Sequence, residues 1–323
     1  MAEKRGRPGP RASGPAPSRS AELATGPIDR LLALAGDPAD ASTGSGERLR
    51  WFRRALAAWS VARTVVWTTL DAPLDPSVLA ATLVLLVAAC GLAWAPRLET
   101  VASRVALPAL LAQLALTFPL TPNHFFLEVW ATALLAFADP AGESDALVLA
   151  GLRWLTAIVL FVTGCQKLAY GHYWHGDFLA FMVGRGDRFA DLFAWVLPAD
   201  EIARLGSYDA FRGGSGPYRV ANLPFVLMSN LVWIAELALP AGMLAARTRT
   251  LASVAAMAFI ATLQLGAREA GFAILFLNLL ALFAPAPLAK AVAVTSLAVL
   301  GLVALAALGI LPGSALVRGW HLW

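Results

Sequence analysis

From about residue 51 onward the chain is almost continuous apolar sequence, cut into nine runs near 51–70, 76–95, 102–120, 124–138, 147–167, 225–246, 251–267, 271–287 and 290–311. A helix that crosses a bilayer needs roughly 17–25 predominantly apolar residues. Most of these runs reach that length, and the fourth, seventh and eighth fall short or only just reach it. A chain of 323 residues cannot bury so much apolar surface in one water-soluble core. It is 59% hydrophobic and 14% charged, against about 45–50% and about 25% for an ordinary soluble domain. These proportions exclude a cytosolic enzyme, a disordered scaffold and a nucleic-acid reader. The expectation is an all-α polytopic transmembrane helix bundle of about 8–9 spans. The stretch Gly266-Ala-Arg-Glu-Ala-Gly271 admits either a tight turn between two short spans or a kink in one long helix, and the first is preferred.

Residues 1–50 are rich in Pro, Gly, Ala, Ser and Arg. Such a segment buries too little apolar surface to offset its ordering entropy. It is read as a disordered cytoplasmic tail with one short helix at Ile28–Ala35. The transmembrane domain then covers 51–311, and 312–323 forms a short C-terminal tail. One long loop, 168–224, interrupts the bundle. Its segment 177–196 carries Phe178, Leu179, Phe181, Met182, Phe189, Leu192 and Phe193 at spacings that suit an amphipathic helix lying in the membrane interface.

Charge placement sets the expected orientation. Ten of the 25 Lys and Arg residues lie in the first 54 positions. Arg97, Arg104, Arg247 and Arg249 fall in turns on the same side as that tail. By the positive-inside rule the N-terminus is cytoplasmic and the loop 168–224 external. Only Lys4, Lys167 and Lys290 are lysines, against 22 arginines. That skew resembles the product of a GC-rich bacterial genome, so the expected location is a bacterial inner membrane. Cys90 and Cys165 sit inside apolar runs without a CxxC pair, which argues against a disulfide framework or a zinc site.

Polar side chains within apolar spans are costly unless they meet a partner or a cavity. Here they are Arg63, Gln113, Asn123, His124, Glu128, Arg153, Lys167, Glu236, Gln264, Arg268, Glu269 and Asn278. Arg63 admits two readings, a buried ion pair with Glu236 or Glu128 and a guanidinium aimed at an anionic substrate. His124 and Glu128 are four apart and share a helix face, which could orient the imidazole. Pro240, four residues past Glu236, loosens the backbone ladder there. Lys167 is either a snorkelling anchor or a desolvated amine able to act as a base. His172, His175 and Asp177 have spacing that permits a metal, but further ligands are lacking and no metal is expected.

Several of these stretches together resemble the HTTM domain, the membrane domain of the vitamin K-dependent γ-carboxylase family. The resemblance covers roughly 51–285. It rests on Asn123-His124 opening a span that runs on to Leu-Leu-Ala-Phe-Ala-Asp139, and on Phe161-Val-Thr-Gly164-Cys-Gln-Lys167-Leu168. Trp174-x-Gly176 and Glu236-x-x-x-Pro240 before an Arg-x-Arg turn complete it, with Arg63 in the first span. The resemblance implies that Lys167 is the base that deprotonates reduced vitamin K or menaquinol. Asn123 and His124 would line the same pocket and Trp174 and Gly176 would help hold the quinol, which reacts with oxygen and carbon dioxide. Arg63, Glu128 and Glu236 would be structural polar residues within the membrane. Departures are Gln166, where the carboxylase has the first lysine of a pair, and the lack of a histidine in 251–267. The implied partners are membrane lipids and a peptide or lipid-borne substrate. A non-enzymatic helper in the maturation or export of a secreted peptide and a transporter are the alternatives; the helper reading predicts loss of the partner peptide's function without loss of any quinol chemistry.

Overall fold

In a computed structural model, residues 34–36, 44–69, 74–95, 97–119, 121–139, 141–208, 218–267 and 269–312 are described. Among them every regular element is helical. The helices are α1 (Gly44–Thr69), α2 (Pro76–Trp94), α3 (Glu99–Thr117), α4 (Asn123–Ala136), α5 (Asp145–Tyr170), α6 (Asp177–Arg185), α7 (Asp187–Phe193), α8 (Ala199–Gly206), α9 (Leu223–Leu244), α10 (Arg249–Ala267), α11 (Ala270–Ala281) and α12 (Ala286–Ala307). Short turns join most of them, so successive helices run antiparallel. The end of the bundle where α1 begins is called its base.

Six helices, α2, α3, α5, α9, α10 and α12, are long and apolar enough to cross a membrane. The other three long-range elements explain why the count of nine apolar runs is not a count of such helices. α4 has 14 residues and α11 has 12, spanning about 21 and 18 Å at 1.5 Å per residue against a hydrocarbon core of about 30 Å. α1 is long but carries Glu47, Arg48, Arg50, Arg53, Arg54 and Arg63. It is also the hub of the bundle, packed against α2, α3, α4, α5, α11 and α12. Its apolar residues Phe52, Leu56, Trp59 and Val66 are buried in the main core with Leu149, Phe276 and Phe283. A helix ringed by protein does not need the uniform apolarity that lipid imposes.

Local chemistry sets the ends. Asp75 caps α2 by accepting from Ser77 N, and Pro76 fills the first helical position, where an amide would have no partner. Asn222 caps α9 by accepting from Phe225 N at 3.0 Å. Gly171, at φ 71°, ends α5 in the left-handed region that suits glycine. Glu269 separates α10 from α11 with φ −90° and ψ 67°, so 266–271 breaks the helix into two rather than kinking one.

The base is closed by arginines. Arg54 Nε donates to Ala93 O at the end of α2, and Arg104 donates to Ala136 O and Ala138 O at the end of α4. Arg249 donates to Met243 O and Leu244 O at the end of α9. Arg153, fully buried, gives two bonds of 3.0 and 2.8 Å to Leu282 O at the end of α11. Arg153 and Arg249 also bind Ala35 O and Leu34 O. The segment assigned from sequence to a disordered tail therefore contains structure: α1 starts at Gly44, and Ala35 is buried. The short helix expected at Ile28–Ala35 is seen only in its last two residues; the rest lies outside the described residues.

The loop 168–224 holds a small core of its own. Leu179, Val183, Phe193, Leu197, Leu205, Tyr218 and Phe225 form one cluster. The single amphipathic helix expected over 177–196 is instead two helices, broken at Gly186, whose backbone is extended. The break turns Leu179 and Phe193 into this cluster and away from an interface, while Tyr170, Trp174, Phe178 and Trp195 stay exposed. Arg204 and Glu201 pair across one turn of α8, and that hydrogen bond holds the Glu201 carboxyl below the usual carboxylate range.

Arg153→Met removes three buried charge-assisted bonds, so it is expected to cost about 3 kcal/mol. Arg104→Met, at a solvated helix end, should cost less than about 1 kcal/mol. Unfolding of both variants in detergent micelles checks this ranking.

Candidate functional site

Two clusters of charged side chains lie among the helices. The deeper one joins α1, α3 and α4. Arg63 is 1% exposed and Glu128 fully buried. Arg63 Nε stands 2.9 Å from Glu128 Oε2, and Nη2 donates to Gln113 Oε1 at 2.8 Å. Gln113 Nε2 donates onward to Thr82 Oγ1 at 2.8 Å and Thr64 Oγ1 at 3.3 Å, while Ser60 Oγ donates to Glu128. The guanidinium also lies 4.2 Å from the ring centres of Trp67 and Phe125. The cluster holds one cation and one anion, so a low-dielectric interior tolerates it once the remaining donors and acceptors are met. Of the two partners considered from sequence, Glu128 is the one Arg63 has; Glu236 is engaged elsewhere.

Glu236 pairs with Lys167. Lys167 Nζ lies 2.8 and 2.7 Å from the two carboxylate oxygens. This pair sits where the end of α5 meets the middle of α9, with the lysine side chain 21% exposed and the glutamate 7%. Gly164, one turn before Lys167, makes the approach possible. A Cβ there would stand 2.9 Å from Leu237 and 3.1 Å from Glu236 Cβ. Pro240 has no amide to offer Glu236 O, which frees that carbonyl from the helical ladder. Thr163 Oγ donates to Leu160 O within α5 at 2.8 Å.

A turn folds over the pair. Tyr173 O accepts from Ser229 Oγ at 2.8 Å and Trp174 O accepts from Asn230 Nδ2 at 3.0 Å, which ties residues 171–176 to α9. The Tyr173 ring centre lies 5.5 Å from Lys167 Nζ. Burial, with Glu236 beside it, pushes the Tyr173 phenol well above its ordinary value, so it stays a neutral hydroxyl. Gly176 has φ 77°, and a Cβ there would meet the Phe225 ring at 3.0 Å, so this glycine serves the close seat of the turn on α9. Trp174 is half exposed.

The residues expected to gather around Lys167 divide between these places. His124 makes an edge contact with Trp59, ring centres 6.0 Å apart, beside the Arg63 cluster. Asn123 is exposed at the start of α4. Neither has a hydrogen bond or ion pair with Lys167 or Glu236. The shared face of His124 and Glu128 does not pair them, because the carboxylate is taken by Arg63 and Ser60. Asn278 is buried between α11 and α12, donating to Ile274 O and Ser296 Oγ. Gln264 Oε1 is buried without a partner, Glu269 is exposed, and Arg268 lies outside the described residues. Sequence reasoning passed over Ser60, Thr64 and Thr82 and over Tyr173. Ser60, one turn before Arg63, and Thr64, one turn after Ser60, share a helix face, which is the signal that would have found two of them.

No family model, curated protein or solved structure matches this chain.

Two predictions follow from the packing. Arg63→Leu strands a buried carboxylate and is expected to cost about 3–5 kcal/mol, and adding Glu128→Leu should recover much of that loss. Additive losses in a double-mutant cycle, measured by unfolding in micelles, would refute the coupling. Gly164→Ala forces α5 and α9 apart at a cost of about 1–3 kcal/mol. Leu237→Ala in the same chain should restore most of the stability, because Leu237 supplies the nearest obstructing atoms.

Proposed function

We propose that this is a multi-pass membrane protein of about 8–9 spans, α4 and α11 reaching only part-way, with its base in the cytoplasm of a bacterial inner membrane. In this reading the Lys167–Glu236 pair is a proton-transfer site acting on a lipid-soluble hydroxyl compound, and the HTTM resemblance makes a reduced quinone the class to test. The observation that carries the reading is the placement of Lys167 Nζ 2.7–2.8 Å from both Glu236 oxygens while the lysine keeps an exposed face. A proton accepted by the pair can pass between amine and carboxylate without leaving the site, and the deeper Arg63–Glu128 pair has no such access.

The residues fit a quinol in part. Tyr173 and Trp174 supply aromatic surface beside the amine, and the neutral Tyr173 hydroxyl can donate to a carbonyl or hydroxyl oxygen. A reduced quinone would bring an ionisable hydroxyl and two electrons; the chain's share is to accept the proton at the Glu236 carboxylate, leaving the Lys167 ammonium beside the oxyanion that forms. His124 and Asn123 are not gathered with Lys167, so the proposed site consists of Lys167, Glu236 and Tyr173.

The test uses membranes containing the wild type, Lys167→Ala or Glu236→Gln at matched expression, each shown to be folded. Reduced vitamin K or menaquinol, oxygen, labelled bicarbonate and a Glu-containing peptide pool are supplied, and quinone epoxide and acid-stable label are followed together. Epoxide formation that falls at least about tenfold in both variants supports the reading. Equal epoxide in wild type and Lys167→Ala would leave the pair as a helix-packing contact and favour the helper in peptide export.

A further inference from the structure

We propose that the base of the bundle carries a binding site for a singly charged phosphoryl anion, separate from the Lys167 site by the length of α5. Helices α1, α3 and α5 all begin around one cavity of about 400 Å³. Four guanidinium groups line it, those of Arg50, Arg53, Arg54 and Arg97. Three carboxylates share the wall, and each is engaged. Glu99 stands 3.1 Å from Arg50 and 3.6 Å from Arg54, Asp139 accepts from Ala141 N, and Asp145 faces Arg53. One positive charge is left over.

Arg53 is the decisive residue. It is only 6% exposed, yet its Nε and Nη2 have no hydrogen-bond partner. Its anionic neighbour is Asp145, an ion pair with Oδ1 3.6 Å from Nη2 that leaves the arginine's donors room for a shorter contact. A buried guanidinium with two idle donors is a costly arrangement unless an acceptor fills the space in front of it. Arg54 cannot be that group's substitute, since it is held between Trp51 and Trp94 and bonds Ala93 O. Arg97 lies on the rim with φ 70°, a left-handed backbone that a long side chain rarely adopts.

The helix starts add to the field. Neither Leu98 before α3 nor Ser144 before α5 makes a side-chain cap bond. The Asp145 amide is taken by Gly142 O, and the amides that follow in each first turn have no helical partner. Gly46 and Gly142 lie in the wall, where the Asp145 carboxylate packs close to both. A fork of arginine donors facing amide donors suits tetrahedral phosphoryl oxygens, and the single residual charge suits a phosphodiester. The group can come from an anionic lipid headgroup or from a phosphate in solution.

The test takes the full chain, purified in neutral detergent with phosphatidylcholine. Inorganic phosphate and, separately, short-chain phosphatidylglycerol are titrated, with phosphatidylcholine of the same chain length as the control, and the unfolding midpoint is followed. A saturable rise with either ligand is expected. Arg97→Gln should weaken the apparent affinity about tenfold, and Arg53→Gln should abolish the response. Arg247→Gln, which removes an exposed cation at the same end, should leave it unchanged. A rise with phosphate identifies a free anion as sufficient, and a rise with phosphatidylglycerol alone identifies the lipid. No rise with either, or an equal loss in Arg247→Gln, overturns the site. Because Arg97 is exposed, its variant reports even if Arg53→Gln does not fold.

Discussion

Four helices, α2, α4, α9 and α11, run toward the base, and each ends against a guanidinium group. The last carbonyls of a helix have no partner within it, and they carry the negative end of its dipole. In water this costs little. Under a bundle whose neighbours are apolar, each unmet carbonyl is a penalty comparable to a lost hydrogen bond. Arg54, Arg104, Arg249 and Arg153 meet that need with donors that remain charged in any protein environment. Arg153 and Arg249 extend the device to Leu34 and Ala35, so the chain ahead of α1 is anchored by the same two side chains. The excess of arginine over lysine has a structural use here. The planar guanidinium fork lets Arg153 bond Leu282 O and Ala35 O at once, where a lysine offers a compact point charge.

The two buried ion pairs follow one rule but differ in what they leave free. At Arg63 the partners are Glu128, Gln113 and three aromatic rings, and hydroxyls from α1 and α2 bond Glu128 and Gln113 in turn. Moving a proton or a ligand there would break several contacts at once. At Lys167 the amine has one carboxylate and one ring, and part of it faces outward. Gly164 and Pro240 prepare that place, the first by allowing contact and the second by slackening the helix. Chemistry proposed for Lys167 therefore asks less rearrangement of the fold than any proposed for Arg63.

Composition and run length made the helical character and nearly all the helix positions legible, because a bilayer-spanning helix must be long and apolar. The start of α1 was missed because its first turns are charged. Those charges face other helices and the base, so hydropathy took them for tail. The break at Gly186 was missed because 177–196 has helical periodicity on both sides of it, and only tertiary packing of Leu179 against Phe193 decides the fold of the loop. Pairing was half legible: polarity within spans singled out Arg63, Glu128, Lys167 and Glu236, but which acid meets which base depends on helix neighbours. α1 lies beside α4, and α5 beside α9, so the pairs are Arg63–Glu128 and Lys167–Glu236. A gathering of His124 with Lys167 would have needed α4 to take the place that α9 occupies.

The same geometry bears on how charge orients the chain. The positive-inside rule counts Lys and Arg near the ends of spans, and most of those at the base are committed to the fold. Arg54, Arg104, Arg153 and Arg249 bind carbonyls, while Arg50 is paired with Glu99. During insertion, before the helices meet, none of these bonds exists and every one of the charges is available to hold the base on its side. After assembly they are engaged in caps and pairs, with Arg50 and Arg104 still exposed there, as Arg97 and Arg247 are. In the proposed orientation, the arginines that the rule counts are also the groups that close the helices once assembled. On this argument the loop arginines at the opposite end weigh less in orientation than their number suggests: they arrive late in the chain, after five helices have been placed, and Arg204 is tied to Glu201 and Arg219 O within the loop's own fold.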